Sequence, residues 1–139
     1  MRHEIIPNLR YADALKAIAF LCEAFGFERR AVYVSEQDPT VVQHAQLVWS
    51  DRMLMISSVN DGEYARAARM KTVAEAGGAT VGLYLIVDDV DGHADRARAA
   101  GAEIILPPRD QSYGGRGYSA RDLEGNVWSF GSYDPWADA

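Results

Sequence analysis

The sequence predicts an α+β fold made of two βαβββ modules with a cleft between them. Two observations lead there. The chain repeats itself: Asn8-Leu9-Arg10-Tyr11-Ala12-Asp13 runs into an Ala-rich apolar stretch that stops at Gly26, and Leu83-Tyr84-Leu85-Ile86-Val87-Asp88-Asp89 runs into another that stops at Gly101. Asp13 and Gly26 are thirteen residues apart, Asp89 and Gly101 twelve. Each copy is then followed by segments of alternating polarity separated by tight turns, the period of half-buried strands. A two-module chain of this kind carries its function in the cleft, so the side chains facing it matter most.

Ile5 to Tyr11 reads as the first strand. Asp13 is a good N-cap, and Ala14, Ala17, Ile18, Leu21, Cys22 and Phe25 form one helical face at i, i+3, i+4 spacing. Gly26 sits where a left-handed C-cap belongs. Strands are expected at Phe27 to Ser35, Val41 to Trp49 and Arg52 to Ser58, the last two joined at Ser50-Asp51. Asp61 to Ala76 has no counterpart in the second copy and reads as a short amphipathic helix, followed by a Gly77-Gly78 joint. Thr80 to Val87 opens the second module. Asp89 or Asp91 caps a helix from Gly92 to Ala100. Ala102 to Leu106 is a strand stopped by Pro107-Pro108, and Arg109 to Gly115 is a polar loop. Gly117 to Arg121 and Asn126 to Ser132 close the module around Asp122-Leu123-Glu124-Gly125. The whole chain, 1–139, reads as one domain: module one about 1–60, a connecting helix about 61–78, and module two about 79–135, because each half is small for a stable core of its own.

The net charge of -6 and a pI near 5.0 argue against nucleic-acid binding, which needs a basic face, and would tolerate a cationic small molecule. No apolar run reaches the length of a membrane span. The first residues carry no apolar core or cleavage site of a signal peptide, so a cytoplasmic location is expected. The lone Cys22 excludes an internal disulfide and reads as a buried, inert thiol.

Arg121-Asp122-Leu123-Glu124-Gly125-Asn126-Val127-Trp128-Ser129-Phe130 resembles the final hairpin of the vicinal oxygen chelate superfamily, an Asp-Pro-x-Gly-Asn turn followed by a strand, with Leu123 in place of the proline. Phe20 to Gly26 and Val87-Asp88-Asp89-Val90 resemble the family's helix end and second-helix start. The superfamily includes glyoxalase I, extradiol dioxygenases, fosfomycin-resistance proteins and bleomycin-binding proteins. The resemblance implies a curved, barrel-like sheet with a central cleft and helices on the outside.

Metal-dependent members hold a divalent ion with one ligand from each of four strands, usually two His and two Glu. The family's spacing puts those positions at Ile6, seven before Asp13; at Met55 or Ile56; at Gly82, seven before Asp89; and at Ser129, four after Gly125. These are not a ligand set for a hard or borderline cation. His3 at the terminus and His93, expected on the exposed side of the second helix, do not replace them. No metal and no cofactor are therefore expected.

Met55 at an inferred ligand position marks the cleft face, and alternation assigns the rest. His44, Gln46 and Val48 share that face with Met53, Met55 and Ser57, as do Ile6 and Asn8, Gly82, Tyr84 and Ile86, and Val127 and Ser129. A four-residue turn at Asp122 to Gly125 would set Tyr118 opposite Ser129, with Arg116 two residues along the same face. The expected ligand-binding set is His44, Gln46, Met53, Met55, Tyr84, Arg116, Tyr118, Ser129 and Asn8. An apolar floor, an aromatic wall and a few polar points suit an organic ligand with aromatic parts. Ala45, Leu47, Trp49, Trp128 and Phe130 are assigned to packing under the helices, and Trp136 to the terminal tail. The loop Gln111 to Arg116 is either a lid with a glycine hinge or an ordinary connection.

Three functions compete. The first is a metal-independent binding protein resembling the bleomycin-binding branch, which sequesters an aromatic ligand or antibiotic; that branch implies a homodimer in which module one of one chain and module two of the other complete each groove. The second is a glyoxalase-like lyase, isomerase or dioxygenase with an atypical site, using a displaced metal or His44 as acid–base. The third is a partner protein with a vestigial groove, contacting others through Arg66, Arg69 and Lys71.

Overall fold

The computed structural model describes residues 1–137. In module one, β1 (Asn8–Tyr11) leads to α1 (Ala14–Phe20), a π-helical turn (Leu21–Phe25), β2 (Glu28–Val34), β3 (Val42–Trp49) and β4 (Arg52–Ser58). Two short helices follow, α2 (Glu63–Ala68) and α3 (Val73–Ala76). Module two repeats the plan with β5 (Gly82–Ile86), α4 (Val90–Ala99), β6 (Glu103–Asp110), β7 (Arg116–Arg121) and β8 (Val127–Gly131). The sheet orders are β1-β4-β3-β2 and β5-β8-β7-β6, with the first strand of each module parallel to its last. The α+β two-module fold is as expected; the two sheets are hydrogen-bonded separately, and neither closes into a barrel.

The repeat extends to the caps. Asp13 Oδ1 accepts from Lys16 N at 3.2 Å and Asp89 Oδ1 from Gly92 N at 3.0 Å, so each module starts its helix with the same device. Gly26 ends the first helical stretch at φ +90°. The alternating residues Leu9 and Tyr11, Ala45 and Leu47, Leu54 and Ile56 bury one face of sheet one under α1. Tyr118, Ala120, Trp128 and Phe130 do the same under α4. These residues form one continuous core spanning both modules.

Two contacts fasten the modules. The turn after β7 reaches module one: Asp122 Oδ2 accepts from Tyr11 Oη at 2.6 Å, and the Glu124 carboxylate accepts from the backbone N–H groups of Ala12 and Asp13. In return α4 serves the end of the first helix. Arg96 donates to the carbonyls of Glu23 and Cys22, and His93 Nε2 to that of Phe25. Carbonyls that a helix end leaves without partners are thereby satisfied by the other module.

Several expectations are corrected. Asp61 to Ala76 is two helices, because Arg69 turns left-handed at φ +54° and Thr72 with Glu75 starts a new one through a capping box. Pro107 and Pro108 do not stop β6. That strand is at the sheet edge and its register slips between Ile104 and Leu106 and between Leu106 and Arg109, so the missing N–H groups fall in irregular pairing. The α4 cap is Asp89, and the helix begins at Val90. Cys22 is half-buried, and burial raises its thiol pKa.

Candidate functional site

The face of each sheet turned away from α1 or α4 carries the predicted cleft residues of every strand but β7. On sheet one, Gln46 pairs with Met55, which pairs with Asn8, and Val48 pairs with Met53, so these share one face as alternation demanded. Gln46 Nε2 lies 3.1 Å from His44 Nε2. An amide NH2 only donates, so His44 accepts there and carries its proton on Nδ1. Tyr33 stacks beside the imidazole, with ring centroids 6.3 Å apart.

Sheet two forms a cup of about 380 Å³. Tyr84 and Ser129 are register partners, and Ser129 in turn pairs with Ser119, their hydroxyl oxygens 2.7 Å apart. Tyr84 Oη donates to the Tyr133 carbonyl at 2.7 Å, and Tyr113 and Tyr133 meet edge to face with centroids 5.1 Å apart. Gly131 makes room for this arrangement, since a Cβ there would lie 2.7 Å from Tyr84 Oη. Desolvation raises the Tyr84 phenol pKa, so it remains a donor. Gln111 and Arg109 complete the polar rim.

One predicted face is wrong. Tyr118 pairs with Phe130, not Ser129, and is buried beneath α4. The turn between β7 and β8 runs from Asp122 to Asn126, closed by Asp122 N donating to the Asn126 carbonyl at 3.0 Å. One extra turn residue moves every β7 side chain to the opposite face. Ser119 therefore takes the cleft place assigned to Tyr118, and a five-residue count of the turn would have found it. Arg116 moves with Tyr118: its guanidinium makes a two-bond ion pair with Asp91 of α4, at 2.8 and 2.9 Å, and reaches Asp110. That pairing raises the Arg116 pKa and lowers that of Asp91.

His93 is likewise not on the exposed side of its helix. Its Nε2–H donates to the Phe25 carbonyl at 3.0 Å, so Nδ1 accepts from Tyr118 Oη at 2.5 Å. Burial lowers its pKa, and the neutral ring sits between Phe25 and Phe130.

The nine expected ligand residues thus fall into separate groups. Asn8, His44, Gln46, Met53 and Met55 belong to sheet one, and Tyr84 and Ser129 to the cup; Arg116 and Tyr118 also border the cup, although the Tyr118 ring is buried beneath α4 and the Arg116 guanidinium is paired with Asp91. Met53 and Tyr84 also border a second hollow of about 410 Å³ between the modules, with Ile5, Leu83, Leu85 and Ile86. Arg109, Gln111, Tyr113, Ser119 and Tyr133 are among the cup residues that strand alternation alone did not supply.

The family model described as glyoxalase/bleomycin resistance protein/dioxygenase superfamily matches residues 5–130. The chain belongs to that superfamily. Among relatives, an uncharacterized protein of Mycobacterium bovis is 31% identical over 125 residues, covering 90% of this chain and 80% of the relative. TioX from Micromonospora sp. ML1 superposes with a TM-score of 0.69 at 32% identity, covering 93% of this chain and 94% of TioX. The fosfomycin resistance protein FosX of Listeria monocytogenes, as a mutant complexed with Mn(II) and a dihydroxypropylphosphonic acid, shares the fold at 15% identity, with a TM-score of 0.71 and 99% and 98% coverage.

The superfamily's metal centre does not fit the residues present. Ile6, Met55 or Ile56, Gly82 and Ser129 occupy the positions where that resemblance puts donors, and Ser129 is bonded to Ser119. Among the described residues, no three His, Cys, Asp or Glu side chains gather within reach of one ion.

Proposed function

We propose that this chain is a metal-independent binding protein of the cytoplasm that sequesters an aromatic organic molecule, antibiotics included, in the cup of module two. The observation that carries the reading is the pairing of a tyrosine-lined cup with family ligand positions that hold no metal donors. Tyr84, Tyr113 and Tyr133 offer ring faces and edges, and Ser119, Ser129 and Gln111 a small polar set to orient the ligand. The volume of about 380 Å³ is within the range of small-molecule sites. The acidic chain favours a ligand with positive charge.

A second copy of the chain completes the groove in this reading. Asn8, His44, Gln46 and Met55 of one subunit would stand over the cup of the other, which accounts for the exposure of Tyr33, Tyr84 and Ile86 in the single chain. Titration calorimetry against a panel of cationic aromatic antibiotics, with and without a chelator, tests the proposal. Saturable binding unchanged by chelator is expected, at one ligand per subunit of a dimer in light scattering. A stoichiometric metal ion in the purified protein, or binding abolished by chelator, would overturn it.

A further inference from the structure

Arg10 of β1 stands between Leu9 and Tyr11 and is itself buried, with 6% of its surface exposed. Its Nε is enclosed and has no hydrogen-bond partner. No carboxylate among the described residues forms an ion pair with it. Glu75 is the acid that feels its charge, but the Glu75 Oε1 is engaged by the backbone N–H and hydroxyl of Thr72. A guanidinium does not lose its proton to escape burial, so an uncompensated one is costly to keep.

Arg10 lines a small cavity of about 120 Å³. Asn8 and Arg10 line it from β1, Asn126 from the last turn, and Lys71, Thr72 and Thr80 from the connecting segment, which has no equivalent in module two. The lining therefore offers two cations, the Asn8 amide and the Thr80 hydroxyl among apolar neighbours such as Leu9, Val73 and Val81, while the Thr72 hydroxyl is committed to Glu75 and the Asn126 amide to Asp122. A cavity of that size admits a tetrahedral or planar oxyanion and excludes a drug-sized molecule. It is separate from the cup, none of whose lining residues it shares.

We propose that this is an oxyanion site, in which a phosphate or carboxylate group neutralises Arg10, with Lys71 and Asn8 as further donors. The planar guanidinium suits either group through paired N–H donors. The anion is either free or the terminal group of a larger molecule whose body stays outside. The net charge of -6 makes diffuse anion accumulation unfavourable, so binding here has to come from the local donors.

The test titrates the protein with inorganic phosphate, methyl phosphate and acetate against chloride at constant ionic strength, following the Arg10 Nε–Hε resonance by NMR and thermal unfolding in parallel. A saturable shift of that resonance with an oxyanion, and none with chloride, is expected. At tenfold excess over Kd the unfolding midpoint should rise by about 3–6 °C. Arg10→Met, which keeps the length and apolar stem, should abolish the rise. Glu75→Gln, which keeps the cap and removes its charge, should tighten binding several-fold. Equal binding of methyl phosphate and phosphate identifies a terminal group of a larger molecule; preference for phosphate identifies a free anion. Absence of a saturable shift with every oxyanion would overturn the proposal. So would an equal midpoint rise in Arg10→Met, the signature of general salt exclusion. Should that variant fail to fold, the resonance titration of the natural protein decides alone.

Discussion

Asp122→Asn is the sharpest probe of what joins the modules. The two carboxylate oxygens of Asp122, buried in the last turn, divide the work. Oδ1 accepts from the backbone N–H groups of Glu124 and Asn126, both at 3.0 Å, and Oδ2 from Tyr11 Oη at 2.6 Å and Trp128 Nε1 at 3.1 Å. An asparagine keeps one acceptor oxygen. If that oxygen serves the backbone, the new NH2 faces the Tyr11 hydroxyl, which rotates to accept, and the Trp128 N–H, which has no acceptor capacity. One charge-assisted bond is weakened and one buried donor is orphaned, each costing about 1.5 kcal/mol, for a total of about 3 kcal/mol. For a chain of this length that lowers the unfolding midpoint by roughly 10 °C. Urea denaturation of Asp122→Asn, Tyr11→Phe and the double variant measures it, and the pair should couple by about 1 kcal/mol or more because the two residues are the donor and acceptor of one hydrogen bond. A cost under about 1 kcal/mol for Asp122→Asn, or strict additivity, would refute the view that this carboxylate ties module one to module two.

Two further outcomes follow from the same geometry. Because burial lowers the His93 pKa below its ordinary 6.5, the folded chain refuses a proton that the unfolded chain accepts, so stability is full above about pH 6.5 and falls as pH drops toward the lowered folded value. Denaturation midpoints measured between pH 8 and pH 5 should show this loss, and His93→Gln should flatten that part of the curve while costing stability at pH 8. Gly131→Ala would press a methyl group against Tyr84 Oη and the Arg116 carbonyl, at 2.7 and 3.0 Å. The ring should be displaced from Tyr133, with a stability cost of about 1–2 kcal/mol and at least tenfold weaker ligand binding by calorimetry; unchanged affinity would remove Tyr84 from the site.

Local patterns carried most of the architecture into view. The Asp caps, the Gly26 terminus and the period-2 alternation of β3 and β4 act through near neighbours, and a reader of the chain can place them without knowing what lies across the core. That is why the face shared by His44, Gln46, Met53 and Met55 was legible. Tyr118 was not, because its face depends on whether Asn126 is counted inside the turn, and one residue inverts a strand. Ser119 was lost by the same slip.

The amino-acid order by itself determined two modules, their helices and the poverty of metal donors at the family positions, since each is a property of short segments or of residue type. Only the folded chain decided that Arg116 is spent on Asp91, that His93 links Tyr118 of its own module to the Phe25 carbonyl of module one, and that Arg10 is buried without a counter-charge. Those pairings connect positions far apart along the chain, and burial and partner choice depend on what the completed core brings alongside each group.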